Sequence, residues 1–326
     1  MSTSTASGFL HAFVLDGKGG ARSIDWAGVE SWTASDGDLW LALDYSIADA
    51  AAWLETRSGI DPPTYEALIQ GDPRPRAVPH DDNLMLIVRG INQNLDATPE
   101  DMISVRAWVE PNRVITLRHR ISRSLESIAA DIQRGKGPRD AADVTATLVE
   151  RIVEHVTTRV DSLGDEISAA EERIIEETRG ELRGQLADYR RRAIALRRFL
   201  APQREALTKL STISLSWLDE AHRERVAESA DRMTRTVEEL DAARDRAAVT
   251  QEELSSRQTE MTNQRLYVPS MITAVFLPLG FVCALLGVNV GGVPFRDDNW
   301  AFWALVAVFG GGVGIQLYLF RKKGWL

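Results

Sequence analysis

LYVPSMITAVFLPLGFVCALL, residues Leu266–Leu286, and WAFWALVAVFGGGVGIQLYLF, residues Trp300–Phe320, decide how this chain is read. Each stretch is 21 residues long and carries no charged side chain. At about 1.5 Å rise per residue, a helix of that length just crosses a hydrocarbon core of roughly 30 Å. The segment between them, Gly287–Asn299, reads GVNVGGVPFRDDN and is too short to fold by itself. The sequence therefore predicts two membrane-spanning helices joined by a small exposed hairpin. Nearly everything else lies on one side of the membrane. So large a body on so small an anchor fits either a pore built from several chains or a simple tether, and the hairpin favours the pore.

Flanking charge gives the orientation. Arg321, Lys322 and Lys323 follow the second run directly and put the C-terminus on the cytoplasmic side. Two crossings return the chain to that side, so the N-terminal body is cytoplasmic as well. The outer loop then holds Arg296, Asp297 and Asp298. Trp300, Trp303 and Trp325 bracket the second run, where indole rings favour the interface. The first residues, MSTSTASGFLHAF, lack a basic stretch followed by a long apolar one, so they do not read as a signal peptide.

Composition removes several alternatives. The 326 residues carry a net charge of −9, which argues against a nucleic-acid partner. The single cysteine, Cys283, lies in the first apolar run and excludes both an internal disulfide framework and a cysteine-based zinc cluster. Its angle around the helix faces it away from the polar stripe described below, as a packing residue. The five histidines, His11, His80, His119, His155 and His222, show no pairing at helical spacing. No GxxxxGK[ST] phosphate loop occurs, and no resident cofactor is implied.

The body divides by pattern. Strand signals occur at Gly8–Leu15, Leu39–Leu43, Leu84–Gly90, Ser104–Val109 and Arg113–Leu117. Helical stretches fit between them at Ala48–Thr56 and Pro63–Ile69, while GDPRPRAVP, Gly71–Pro79, reads as a loop because of its prolines. Strands mixed with helices predict an α/β domain with a mixed sheet over residues 1–120. From 121 to 265 the chain predicts a helical stalk, followed by the two-span part, 266–326. Leu148, Ile152, Val156, Val160, Leu163, Ile167 and Ile174 mark an amphipathic helix. Breaks near Thr178–Gly184 and Thr212–Ser216 predict antiparallel helices.

From Gln203 to Val268 there is neither glycine nor proline. The segment from about Trp217 therefore reads as one helix running into the first span, about 70 residues or roughly 105 Å, with Pro269 and Pro278 as possible bends. Val226, Met233, Leu240, Ala247, Leu254, Met261, Val268, Val275 and Val282 are apolar and spaced seven apart, a heptad line that demands a continuous packing partner. The opposite face reads Glu252, Ser256, Thr259, Asn263, Leu266, Ser270, Thr273, Leu277, Gly280 and Ala284. Small and hydroxyl residues there fit either close helix packing or the wall of an aqueous pore.

Gly287-Val288-Asn289 follows the first run. A ring of asparagine carbonyls around a symmetry axis would offer neutral dipoles that replace part of a cation's hydration shell. Gly287 would turn the chain out of the helix as glycine does beyond a C-terminus. Asn263–Pro294, NQRLYVPSMITAVFLPLGFVCALLGVNVGGVP, resembles the CorA superfamily of divalent-cation transporters. Its GVN-VGGVP loop is closer to the ZntB-type zinc branch than to the magnesium branch, which carries a methionine before the asparagine and an acidic loop after it. Asn263, Arg265, Tyr267, Pro278, Gly287 and Asn289 fall on the family pattern. Leu39–Leu41, Gly71–Arg76 and Ile87–Asn94 extend the likeness into the body. Two departures stand out: Phe295 replaces the usual glycine after GGVP, and Cys283 and Ala284 stand where threonine and glycine are common.

The resemblance implies a homopentamer in the inner membrane that moves Zn²⁺, with proton linkage, through a pore walled by the long helix, and no chemical catalysis. It implies Asn289, flanked by Gly287 and Val288, as the ring at the outer mouth and Asn263 as an inner polar ring. Leu266, Ser270, Thr273, Leu277 and Gly280 would line the path, with the two leucines as hydrophobic constrictions. Asp297 and Asp298 either attract cations at the mouth or pair with Arg296. Among the acidic residues Glu171, Glu172, Glu176, Glu177, Glu252 and Glu253, Glu252 is the regulatory candidate because it shares the path face. Neutral oxygens discriminate poorly among divalent ions, so a magnesium or cobalt channel is the rival within transport. A membrane-anchored coiled-coil scaffold is the rival from another class.

Overall fold

In a computed structural model the described residues are 8–95, 97–173, 179–287, 298 and 300–322. The chain divides into two compact units, Met1–Gln251 and Glu252–Leu326.

The first unit is built on a seven-stranded sheet: β1 (Phe9–Leu15), β2 (Ala21–Ser23), β3 (Leu39–Asp44), β4 (Arg76–His80), β5 (Asn83–Gly90), β6 (Ile103–Glu110) and β7 (Arg113–Arg118). Their spatial order is β2-β1-β3-β7-β6-β5-β4. β3 and β7 run parallel and the other neighbours antiparallel, so the sheet is mixed as expected. β3 is apolar on both faces because both are covered. Leu39, Leu41 and Leu43 join Trp53, Leu54 and Leu68 in one core, supplied by α2 (Ala48–Thr56) and α3 (Pro62–Ile69). Trp40 and Ala42 point to the other face, where α5 (Ala141–Glu172) and α6 (Arg179–Thr212) pack. The buried Trp40 indole donates to Thr116 Oγ1 on the neighbouring strand at 3.0 Å, which satisfies a group that burial would otherwise penalise.

Two expectations need correction. Arg76–Pro79, read as part of a loop, belongs to β4. β4 is an edge strand, where a proline that cannot donate to the ladder is tolerated. α5 ends at Glu172 and α6 begins at Arg179, so the expected break lies before the glycine, and Gly184 is inside α6. β2, α1 (Trp26–Ser31) and α4 (Arg123–Gln133) went unread, the first two because they are too short to show a period.

The helices match their apolar lines. Leu148, Ile152, Val156, Val160, Leu163 and Ile167 are all buried on α5, while Ile174 lies outside the described residues. α7 runs Glu220–Leu286 without interruption, 67 residues, and contains both Pro269 and Pro278. Its heptad line is buried at Val226, Met233, Leu240, Ala247 and Leu254. Polar contacts show the directions. Arg225 pairs with Asp143 and Glu150, Thr157 meets Thr236 at 2.8 Å, and Arg246 pairs with Glu171, so α7 runs parallel to α5. Arg192 with Glu166, and Arg197 with Asp241, make α6 antiparallel to both.

In the second unit, α8 spans Ala301–Lys322 and is long and apolar enough to cross a membrane. The apolar part of α7 covers Pro269–Leu285.

Glu126 on α4 ties three elements together. The His11 ring on β1, 3.6 Å away, and Arg118 on β7 hold its carboxyl down to about 2, against the effect of burial. A carboxyl held below its ordinary 4.5 stabilises the fold above that pH, and the contribution is lost as pH falls from 4.5 towards 2. Glu126→Gln will therefore show a smaller loss of melting temperature over that window than the unsubstituted protein. Parallel melting curves would contradict this.

Candidate functional site

The residues assigned to an ion path occupy the C-terminal part of α7. Asn263, Leu266, Ser270, Thr273, Leu277 and Gly280 recur every three or four residues, which puts them on one stripe. All are exposed, including the two leucines at 61% and 69%. A β-carbon built on Gly280 would meet nothing within 4 Å. About half a turn away, Met271, Val275, Leu279 and Val282 are half-buried. On α8, Ala301, Leu305, Phe309, Val313, Gln316 and Phe320 form a matching half-buried line. Within this unit the heptad face of α7 is therefore covered and the small-polar face is bare.

One hydrogen bond explains how the seam is held. Pro278 has no amide hydrogen, so it cannot donate to the carbonyl four residues back, which belongs to Ala274. Gln316 of α8 donates to that carbonyl through Nε2 at 2.7 Å. In apolar surroundings an orphaned carbonyl is costly, and a neighbouring helix is the usual source of a substitute donor. The sequence reading passed over Gln316. Its signal was a lone amide in an apolar run facing another run that contains proline.

The stripe hydroxyls are oriented as well. Ser270 Oγ donates to the Leu266 carbonyl and Thr273 Oγ1 to the Pro269 carbonyl, both at 2.8 Å. With their protons turned back to the helix, both oxygens present only lone pairs outward. That polarity suits a cation.

Two expectations near the end of α7 change. Gly287 keeps a helical bond, its amide donating to the Cys283 carbonyl at 3.0 Å, and it is not among the glycines with positive φ. It therefore lacks the left-handed conformation of a glycine cap, and α7 ends at Leu286, just before it. A β-carbon there would lie 3.2 Å from the Cys283 oxygen of its own helix. Cys283 is exposed on this chain and does not act as a packing residue within it. Val288, Asn289 and Asp297 lie outside the described residues. Asp298 is exposed, and its carbonyl accepts the amide of Ala301 at the start of α8.

The acidic candidates are partly engaged. Glu171 pairs with Arg246 and accepts from Thr250 Oγ1 at 3.0 Å, and Glu253 pairs with Arg257. Glu252 is exposed. Glu176 and Glu177 lie outside the described residues. Among the described residues no three His, Cys, Asp or Glu side chains come together to hold a metal ion.

The family model for the CorA-like Mg²⁺ transporter protein matches residues 35–322. The chain belongs to the CorA-like family. Divalent cation transporter CmaX of Pseudomonas aeruginosa is 35% identical over 322 residues, covering 98% of this chain and 97% of that protein. Zinc transport protein ZntB of Yersinia enterocolitica is 33% identical over 293 residues, covering 90% of this chain and 88% of its own. The solved structure of full-length CmaX superposes with a TM-score of 0.86 at 35% identity, covering 98% of both chains. The CorA-like proteins are transporters and not enzymes.

Two outcomes follow for this CorA-like chain. In a Cys283→Ser background, Ser270→Cys will react with a charged, membrane-impermeant thiol reagent faster than Val275→Cys. Equal rates would mean that the bare stripe is not reached by water. Gln316→Leu will lower the stability of the detergent-purified protein by about 0.6–2 kcal/mol, the range for a hydrogen bond between membrane helices, and an unchanged melting temperature would show the Ala274 carbonyl to be satisfied otherwise.

Proposed function

We propose that this chain transports divalent cations, with Zn²⁺ as its physiological substrate, as a homopentamer in the inner membrane. Both termini are cytoplasmic, and lipid surrounds α8. The α/β domain occupies residues 1–120, the stalk 121–265 and the two-span part 266–326. The observation that carries this reading is the bare small-polar stripe of α7, opposite a seam that α8 already covers. Facing lipid, such a stripe gains nothing. Facing a shared axis, it lines water.

The mechanism starts at the mouth. Five Asn289 carbonyls, with Gly287 and Val288 setting their approach, replace part of the hydration shell without holding the ion too tightly to leave. The ion then passes Leu277, Thr273, Ser270 and Leu266 towards Asn263. The lone pairs of Ser270 and Thr273 stand in for waters. The rings of Leu266 and Leu277 close the path by excluding water when they narrow. No resident cofactor is needed.

Zinc is drawn from the relative named for it and from the GVN-VGGVP loop. Neither apolar run contains Asp, Glu or His, so proton linkage would use groups in the loop or the cytoplasmic part. Asp297 and Asp298 beside the outer end of the path, and Glu252 on the path face below its inner end, are the acidic candidates. The family model names magnesium, which makes a magnesium channel the second reading.

Liposomes holding the purified protein test this directly. Zn²⁺ uptake that rises with an inward proton gradient is expected, and it should be abolished or strongly reduced in Asn289→Ala while the mass of the assembly stays unchanged. Mg²⁺ uptake indifferent to the gradient would favour the second reading. Wild-type flux in Asn289→Ala would remove the mouth ring.

A further inference from the structure

The first unit contains a cavity of about 590 Å³ between the sheet and α6, bounded by Arg106, Ser104 and Tyr45 on one side and by Arg198 and Phe199 on the other. Its size lies within the range of roughly 300–1,000 Å³ that small-molecule sites occupy. Its chemistry is cationic and built into the core. Arg106 is 2% exposed and Arg89 5%. Arg89 has its counter-charge, because Asp72 accepts from it at 2.5 Å and from Arg198 at 3.1 Å. Glu100, another lining carboxylate, is taken by Arg159 at 2.8 Å.

Arg106 differs. Its Nε donates to Ser104 Oγ at 3.1 Å, its Nη1 to the Leu68 carbonyl, and its guanidinium carbon sits 4.7 Å from the centre of the Tyr45 ring. All three neighbours are neutral. No carboxylate pairs with Arg106 among the described residues. Burial, the largest effect, holds its pKa below the usual guanidinium value, with Tyr45 opposing it and the positive charge of Arg89 adding to it. A buried cation without a counter-ion is destabilising unless something supplies the missing charge. Ser104 receives the Arg106 proton on its oxygen, which leaves its own hydroxyl proton free for an acceptor. Arg120, exposed at the rim, adds a second guanidinium to the same cavity. Asp101, also exposed at the rim, is the one lining carboxylate without a partner described above, and it lies towards solvent.

We propose that this cavity binds a small oxyanion of the phosphate class, with Arg106 as its buried counter-charge and Ser104 and Arg120 as further donors. A guanidinium fork beside a hydroxyl matches the tetrahedral oxygens of phosphate better than it matches a halide. α6 supplies Arg198 and Phe199, so a bound anion joins that helix to the sheet. This site is separate from the stripe on α7, and it stands or falls independently of the transport reading.

Isothermal titration of the full-length protein in detergent decides it, using inorganic phosphate in one arm and ATP in another, with sodium chloride at matched ionic strength as the blank. Saturable phosphate binding is expected, weakened at least about tenfold in Arg106→Met, the cost of one charge-assisted hydrogen bond. Arg120→Gln and Ser104→Ala, changed at or near the rim, should weaken it too, and they carry the test if Arg106→Met does not fold. ATP binding tighter than phosphate would identify a nucleotide as the source, and equal or weaker ATP binding would identify the free anion. Heats no different from the chloride blank in both arms, or variants that bind like the unsubstituted protein, would overturn the proposal.

Discussion

The apolar line along α7 is the constraint on which the other elements depend. In the first unit it is buried at every seventh residue from Val226 to Ala247, and in the second it is buried at Leu254 and half-buried at Val275 and Val282. A line of that length leaves α7 no freedom to rotate about its axis, because turning it would bring Glu and Arg side chains into the seam. α5 lies parallel to it and α6 antiparallel, and the contacts that fix them are polar pairs at the margins of the seam, such as Arg225 with Asp143 and Glu150. These margin pairs are half-exposed, so they set alignment more than they add stability. Within the second unit the seam with α8 fixes the opposite face of α7 in the same way, and that face carries Ser270 and Thr273.

Hydrogen bonding governs the second unit for a different reason. Between apolar helices, a backbone carbonyl that loses its helical donor needs another from the protein. Pro278 removes one, and Gln316 replaces it. Ser270 and Thr273 supply extra donors to carbonyls of their own helix, which turns their lone pairs outward. A proline, an amide and two hydroxyls thus shape a face that composition alone would describe only as small and polar. The same rule, applied to the first unit, accounts for Trp40 with Thr116, where both groups are satisfied, and it singles out Arg106, where hydrogen bonds are made but charge is not balanced.

Much of this was legible in the sequence. The strands at Phe9–Leu15, Leu39–Asp44, Asn83–Gly90, Ile103–Glu110 and Arg113–Arg118 were visible because β-branched and aromatic residues cluster between turn residues. α7 was visible from the absence of glycine and proline and from its heptads, properties that depend only on neighbours along the chain. β4 was misread because a proline argues against a central strand, and nothing local distinguishes a central strand from an edge. Gly184 was misread because a glycine inside a helix costs only about 1 kcal/mol, which packing on α5 easily offsets.

The sequence by itself determined the helix lengths, the apolar runs, the stripe and the family, since all of these are periodic or contiguous and need no partner to be defined. Tertiary structure alone decided that α8 is what covers the heptad face of α7 in the second unit, because that depends on where α8 returns. It also decided that Gln316 meets Ala274, 42 residues away, and that Arg106 sits across a cavity from Arg198 without a carboxylate of its own. Charge balance and hydrogen-bond satisfaction are properties of groups brought together in space, and the spacing of residues along the chain does not encode them.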